Sequence, residues 1–475
     1  MNVSLWHKAV VLFKSLSGNA LGFLLFLSLA SCGNFNFPPW NAKPNIVLIV
    51  IDTLRADHVG CYGYSRPTTP ELDRLAAQGV IFDNVHALSS WTVPSMSTMM
   101  TSVNPFNHGV TSGILGFEGV VEQSILPDGF VTLAEKLQKG GYRTFGISSN
   151  VHVSKETGFD QGFDEFQMLN FVNAEEVERT FLKWMSNITD ASKKGRYFLY
   201  LHFIDPHHEY IPHEPYIEQF HPNYKNEIGD LANTPLLTLW LFQSYFKSPD
   251  DPHTVMARDL YDSEIRNVDD VVERIIKKLP RRDNTFIMVT SDHGEEFMEH
   301  GNMIHGIDLN EETLRVPLVM RFPKNKYAGL RLSSWVNLLD IAPTCVNMAR
   351  LLPIEGAEGQ SVLPLIAKIY KGRYRAVSLP LEVTRIAHSK YYGIIHGRYK
   401  LIVPLDGKAG TQLYDLEKDP QEKLNLFSKN PEIVHSLQKL METKCRVSPR
   451  YPVKMYKASK TGAELEQLKN LGYLH

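Results

Sequence analysis

Asn45–Ile51 reads NIVLIVI, a nearly unbroken apolar run rich in β-branched residues. That is the pattern of a strand buried on both faces of a parallel sheet. Similar runs recur at 144–148, 197–204, 286–290 and 316–321. Between them lie stretches with helical period. Residues 68–79 (TTPELDRLAAQG) open on a Thr cap with Pro near the first turn, space Leu72, Leu75 and Ala76 on one side, and close on Gly79. Residues 133–139, 174–186 and 265–279 follow; in the last, Ile265, Val268, Val271, Val272, Ile275, Ile276 and Leu279 make one face. Strands alternating with helices predict an α/β, doubly wound, mostly parallel sheet. Residues 213–258 break the rhythm and read as an insertion facing substrate. Beyond residue 375 the pattern changes: 391–396 and 398–403 flank Gly397 like a hairpin, and LYDLEKDPQEKLNL leads into a helix. The expected division is a main domain over 45–374 and a smaller C-terminal α+β unit over 375–475.

Composition narrows the function classes. Of 475 residues, 43 % are hydrophobic and 21 % charged, which excludes wholesale disorder. Fifty Lys+Arg against 52 Asp+Glu give a net charge of −2, so no basic surface advertises nucleic acid. The N-terminus carries Lys8, Lys14 and no acid, then an apolar run from Ala20 to Ala30 whose eleven residues are too few to span a bilayer. Leu29-Ala30-Ser31-Cys32 resembles the lipobox of bacterial lipoproteins. The expectation is a signal peptide over 1–31, acylation of Cys32, a Pro- and Asn-rich tether over 32–44, and a chain exported to the bacterial cell envelope and lipid-anchored to a membrane. The remaining Cys61, Cys345 and Cys445 are an odd, scattered trio, read as packed thiols rather than a disulfide framework.

Chemistry gathers where strands end. In an open parallel sheet, ligands bind beyond the carboxyl ends of the strands. The first strand runs into Asp52, the third into Asp205-Pro206-His207-His208, and the fourth into Ser291-Asp292-His293-Gly294, with Glu295, Glu296, His300 and His305 close behind. Carboxylates and imidazoles brought to one edge from three strands make a metal site. Glu295 and Glu296 read as solvated or supporting groups, and Asp205 with a neighbouring histidine offers an alternative place for a second ion.

These residues resemble the sulfatase family within the alkaline phosphatase superfamily. The resemblance rests on NIVLIVIDTLRADHVGCYG (45–63), SSWTVPSMSTMMTS (89–102), TSDHGEEFMEH (290–300) and RVPLVMR (315–321), in the family's order. It implies a metal held by Asp52, Thr92, Asp292 and His293. It also implies Thr92 at the nucleophile position, Arg55 as a site arginine, and His207 and His305 against the transferred or leaving group. Two departures matter. Sulfatases convert a Cys or Ser within Cys/Ser-x-Pro-Ser/Ala-Arg to formylglycine; here Thr92 stands at that position and Met96 at the arginine, so no formylglycine is expected. Thr53 replaces the second aspartate of the family's Asp-Asp pair.

Threonine brings one hydroxyl where a formylglycine hydrate has two. A sulfated threonine cannot collapse to expel sulfate, whereas a phosphorylated threonine can be displaced in line by water or an alcohol. The expected function is therefore a metal-dependent hydrolase or transferase of anionic esters, phosphate ahead of sulfate, on an envelope glycan or lipid headgroup. The alternatives are a sulfuric ester hydrolase proper, or a degenerate binder of sulfated or phosphorylated envelope glycans. One divalent ion is implied, Mn²⁺ or Zn²⁺ ahead of Ca²⁺ or Mg²⁺, because an imidazole joins the ligand set. Pro94 suits the first turn of a helix running to about Thr101, which puts Thr92 at its positive end.

Overall fold

The run Asn45–Ile51 forms β1, and all seven of its residues are buried. Around it the protein, in a computed structural model that describes residues 43–113, 115–117, 120–224, 246–368, 379–384, 390–404, 410–445 and 448–459, builds an eight-stranded sheet. The other strands are β2 (Val80–His86), β3 (Tyr142–Ser148), β4 (Glu165–Met168), β5 (Arg196–Phe203), β6 (Thr285–Thr290), β7 (Leu318–Arg321) and β8 (Leu330–Asn337). Their order is β8-β2-β7-β6-β1-β5-β3-β4. Every pairing is parallel except those of β7, which runs antiparallel to both β2 and β6.

Register sets up the site. Val50 pairs with His202 of β5 and with Thr290 of β6, so β1, β5 and β6 end side by side. Beyond those ends lie Asp52, Asp205 and Asp292. The Asp52 amide donates to the Phe203 carbonyl at 2.9 Å, which extends the ladder one step past β1.

Helices cover the sheet. They include α1 (Pro70–Ala77), α2 (Thr92–Thr101), α3 (Leu133–Lys139), α4 (Ala174–Lys194) and α5 (Pro252–Lys278). Thr132 and Glu135 form a capping box that starts α3, and Asp251 caps α5 by accepting from the His253 amide. Two helices outrun their sequence signals. α4 continues to Lys194, and α5 begins at Pro252, inside the expected insertion at 213–258. The apolar period of α5 is clear only from Ile265, because its earlier turns bury polar side chains: Asp259, Asp262, Ser263 and Glu264 are all inaccessible. Strands β2, β4 and β8 were not legible. Asp83-Asn84 interrupts β2, Arg331 and Ser333-Ser334 interrupt β8, and β4 is half-exposed at the sheet edge.

The C-terminal part forms a four-stranded antiparallel sheet of β9 (Leu379–Thr384), β10 (Lys390–His396), β11 (Tyr399–Pro404) and β12 (Gln412–Asp415). The expected hairpin is β10–β11, turning at Gly397, whose φ of 62° favours glycine. α6 (Pro431–Lys444) lays Val434, Leu437 and Met441 against Ile394, Leu401 and Leu413. LYDLEKDPQEKLNL opens as β12 and turns before α6 begins. Met455–Ser459 then returns to pair with Val120–Ser124, so the chain re-enters the main domain after α6. Cys61, Cys345 and Cys445 are free thiols. The signal, lipobox and tether expected over 1–44 lie, apart from Lys43 and Pro44, outside the described residues, as does the centre of the insertion. No helix among the described residues is long and apolar enough to cross a membrane.

Candidate active site

Thr92 is the first residue of α2. The residue before it, Trp91, is extended and offers no side-chain cap, so the free amides of the first turn face outward from a wholly buried helix. The serine hydroxyls of α2 are engaged: Ser95 donates to the Ser89 carbonyl at 2.9 Å and Ser97 to the Val93 carbonyl at 2.8 Å. The Thr92 hydroxyl instead lies 3.3 Å from His293 Nε2, and Asn150 Nδ2 donates to it at 3.4 Å.

Asp52, Asp292 and His293 close around that hydroxyl. Each offers a ligand atom within 4.8 Å of the others, and all three are fully buried. His293 Nδ1 donates to the Gly294 carbonyl at 2.9 Å, which leaves Nε2 as a lone pair. That lone pair stands 3.4 Å from both Asp52 Oδ1 and Asp292 Oδ2. Neither of those oxygens has a hydrogen-bond partner. Three electron-rich atoms facing one another in a dry pocket are stable only with a cation or extra protons among them. The remaining oxygens are spoken for: Asn150 Nδ2 donates to Asp52 Oδ2 at 2.6 Å, and the His293 and Thr53 amides donate to Asp292 Oδ1 at 3.0 and 3.4 Å. Two carboxylates, one imidazole and a hydroxyl are a fitting donor set for a divalent metal.

The electrostatics agree. Burial, then the Asp52 charge, pushes Asp292 up to about 6. Burial opposes ionisation of Asp52 as well, yet the His202 imidazole 3.4 Å away, with the His293 charge, holds it below the carboxylate range. Burial also opposes charge on His293, but Asp292 and Asp52 outweigh it and raise its pKa.

A second layer of imidazoles leans on this cluster. His207 stacks on His208 with ring centres 4.2 Å apart, His305 meets His207 edge-on at 4.8 Å, and His305 lies 4.4 Å from His293. Glu295 Oε1 lies 2.9 Å from His305 Nδ1 and orients its ring. Burial, reinforced by neighbouring imidazoles, depresses both His207 and His305 well below the ordinary histidine range. Both are therefore neutral in the free site.

One expectation needs correcting. Arg55 is buried, but Nε and Nη2 clasp Asp57 at 2.9 and 2.7 Å, while Nη1 donates to Glu299 at 2.7 Å and to the Glu295 carbonyl at 3.0 Å. Its guanidinium therefore secures the loop after β6 and does not join the Thr92 cluster. Of the two readings given to Glu295 and Glu296, solvated or supporting, burial favours the second: both are fully buried. Burial raises Glu295 to about 7, and Glu296 accepts the His300 and Asn302 amides. Met96 is also fully buried.

Sequence reasoning missed Asn150, His152 and His202. Asn150 and His152 follow β3, a fourth strand ending at the same edge, and His202 sits in the apolar run of β5. The strand-end rule that singled out Asp52 also pointed to Asn150, but an isolated amide carries no metal-ligand signature.

Residues 44–351 match the Sulfatase family, and residues 299–447 match the family described as N-sulphoglucosamine sulphohydrolase, C-terminal. The chain belongs to the sulfatase family. It is thus a member of a family of ester hydrolases in the alkaline phosphatase-like superfamily. It is 24 % identical over 516 aligned positions to the N-acetylglucosamine-6-O-sulfatase of Bacteroides thetaiotaomicron, covering 88 % of this chain and 89 % of that protein. The fold superimposes on a sulfatase-like structure in complex with its substrate D-glucosamine-2-N,6-O-disulfate, with TM-score 0.69, 20 % identity and 85 % and 97 % of the two chains covered. It also superimposes on the phosphonate monoester hydrolase of Agrobacterium radiobacter, with TM-score 0.65, 20 % identity and coverage of 86 % and 96 %. At such identities the structural likeness is one of fold.

Proposed function

We propose that this protein cleaves or transfers anionic esters by attack of the Thr92 hydroxyl, and that it turns over phosphoryl or phosphonyl esters faster than sulfate esters. The observation that carries the reading is the Thr92 oxygen, at a helix N-terminus and 3.3 Å from His293 Nε2, beside two aspartate oxygens that lack partners. A divalent cation held by Asp52, Asp292, His293 and Thr92, Mn²⁺ or Zn²⁺ by the donor set, supplies charge that lowers the hydroxyl pKa and offsets the anion's charge.

The chain's own residues do the rest. Thr92 gives its proton to solvent water as its oxygen bonds to phosphorus. The leaving alcohol departs in line with a proton taken from a protonated His207 or His305, and solvent returns a proton to Thr92 when the phosphoryl group is displaced. His207 and His305 serve the leaving oxygen: neutral in the free site, they gain basicity when an anionic ester arrives, since negative charge favours the protonated imidazole. Glu295 keeps the His305 ring turned. Water, deprotonated by the same imidazoles, then displaces the phosphoryl group from Thr92 and restores the hydroxyl; an acceptor alcohol in place of water gives transfer.

Two of the proteins named above, the N-acetylglucosamine-6-O-sulfatase and the one in complex with D-glucosamine-2-N,6-O-disulfate, are named for sulfated sugars, which favours a second reading, sulfate-ester hydrolysis. A single hydroxyl argues against it, because the sulfated threonine has no geminal hydroxyl to expel sulfate. The lipobox-like Leu29-Ala30-Ser31-Cys32 supports a lipid-anchored enzyme in a bacterial envelope, with glycan or lipid headgroup esters as substrates. The test is turnover of phosphodiester, phosphonate and sulfate monoester chromogens by protein loaded in turn with Mn²⁺, Zn²⁺, Ca²⁺ and Mg²⁺. Phosphorus esters are expected to turn over faster and to leave a phosphorylated Thr92 detectable by mass spectrometry. Sulfate turnover equal to or faster than phosphorus turnover contradicts the substrate order.

A further inference from the structure

The turn after β5 carries His207 and His208 into the active site, and its first acid belongs to a different group. Asp205 on that turn, His213 eight positions later and Glu264 in α5 each offer a ligand atom, and the three atoms lie within 4.8 Å of one another. Asp205 is 7 % exposed and Glu264 1 %. Asp205 Oδ2, Glu264 Oε2 and His213 Nε2 are buried and have no hydrogen-bond partner. Glu175 in α4 adds negative charge nearby, and its Oε2 is unpartnered too. Among the described residues no lysine or arginine forms an ion pair with any of the four.

Such an arrangement needs positive charge. Burial, then Glu175, lifts Asp205 to about 7, and burial, then Asp205, lifts Glu264 well above its ordinary range. One proton shared between the two carboxylates relieves their repulsion but leaves the His213 nitrogen without a partner. A cation satisfies all three atoms at once. Three atoms bound to one ion at about 2.0–2.2 Å lie on average no more than about 3.8 Å apart, so side-chain rotation that closes the set by up to about 1 Å seats the ion.

We propose that Asp205, His213 and Glu264 bind a second divalent cation, of the Zn²⁺ or Mn²⁺ class that two carboxylates and an imidazole select. The site contains no hydroxyl nucleophile. Its role is positional: it fastens both ends of the 205–213 segment to α5, where the Ile211 amide already donates to Glu264 Oε1 at 2.7 Å. His207 and His208 lie between those ends, so the ion fixes the imidazoles that face the Thr92 cluster. The proposal does not depend on which ester the enzyme cleaves.

Metal content and anomalous scattering test it. Wild-type protein, stripped with chelator, reloaded with Zn²⁺ and desalted, is expected to hold two ions per chain. Glu264→Gln and the milder His213→Ala are expected to hold one, and Asp292→Asn to hold one at the Asp205 position. In wild-type crystals an anomalous peak at the zinc edge is expected between Asp205, His213 and Glu264. A wild-type map without that peak overturns the proposal, as does unchanged stoichiometry in both Glu264→Gln and His213→Ala. A peak there with none beside Thr92 upholds this site and contradicts the catalytic one, so the two fail separately.

Discussion

Two buried acid pairs in this protein differ in how their charge is met. Glu311 and Glu422 flank Lys400, whose ammonium lies 2.9 and 2.7 Å from them with no exposed surface. His86 adds a second contact to Glu311, with Nε2 2.9 Å from Oε2. Asp52 and Asp292 are as deeply buried, but only imidazoles, an amide and a hydroxyl surround them. One pair carries its counter-charge on the chain and locks the C-terminal sheet to the main domain. The other leaves two oxygens without hydrogen-bond partners and a ring nitrogen converging beside a hydroxyl. The difference teaches that a buried carboxylate pair with a lysine built among it is electrostatically complete, whereas one without such a lysine still calls for positive charge.

The largest effect expected from breaking this contrast is at Thr92. Thr92→Ala removes the attacking oxygen and should lower kcat by at least about 10³-fold, with stability changed by no more than about 1 kcal/mol; steady-state kinetics and urea unfolding measure the two. Retained turnover would move the nucleophile elsewhere.

The next effect has opposite signs in the two regions. Lys400→Met strands two carboxylates in the interior and should destabilise the protein by about 3–5 kcal/mol. Asp292→Asn, in metal-free protein, removes one of two repelling carboxylates and should leave unfolding free energy unchanged or raised. Denaturant titration with chelator present compares them, and equal losses in both variants would erase the distinction.

The smallest concerns His300, whose Nδ1 lies 3.2 Å from Glu312 Oε2 at the same domain junction. Burial opposes its charge, but Glu312 and Glu422 raise its pKa to about 9. A raised histidine pKa contributes stability that is complete below about 6.5 and lost as pH climbs through 9. Discounted for partial exposure, the contribution is about 1–2 kcal/mol. His300→Gln should therefore cost that much at pH 6 and almost nothing at pH 10, as followed by urea midpoints. A pH-independent cost would assign the residue to packing.

How much of this was legible in the sequence follows from the same physics. β1 announced itself because both its faces are covered and every position is apolar. The start of α5 did not, because a helix that buries Asp259, Asp262 and Glu264 among partners breaks its own apolar period. Asp52, Asp292 and His293 stood out as a carboxylate and an Asp–His pair at strand ends, and Thr92 through the motif around it. Arg55 was expected at the site, since a sequence does not say that Asp57, Glu299 and the Glu295 carbonyl would engage its guanidinium. Asn150 and His202 stayed hidden because their meaning comes from strand register: β3 and β5 must lie beside β1 before either side chain can meet Asp52.

The most direct test is a metal-edge anomalous difference map of crystals soaked in Mn²⁺ or Zn²⁺, with the Thr92 rotamer refined alongside. A peak bounded by Asp52, Asp292 and His293, with the Thr92 oxygen turned onto it, is the predicted result. No peak at that position with either ion, or a Thr92 hydroxyl turned away from the ion found there, would contradict it.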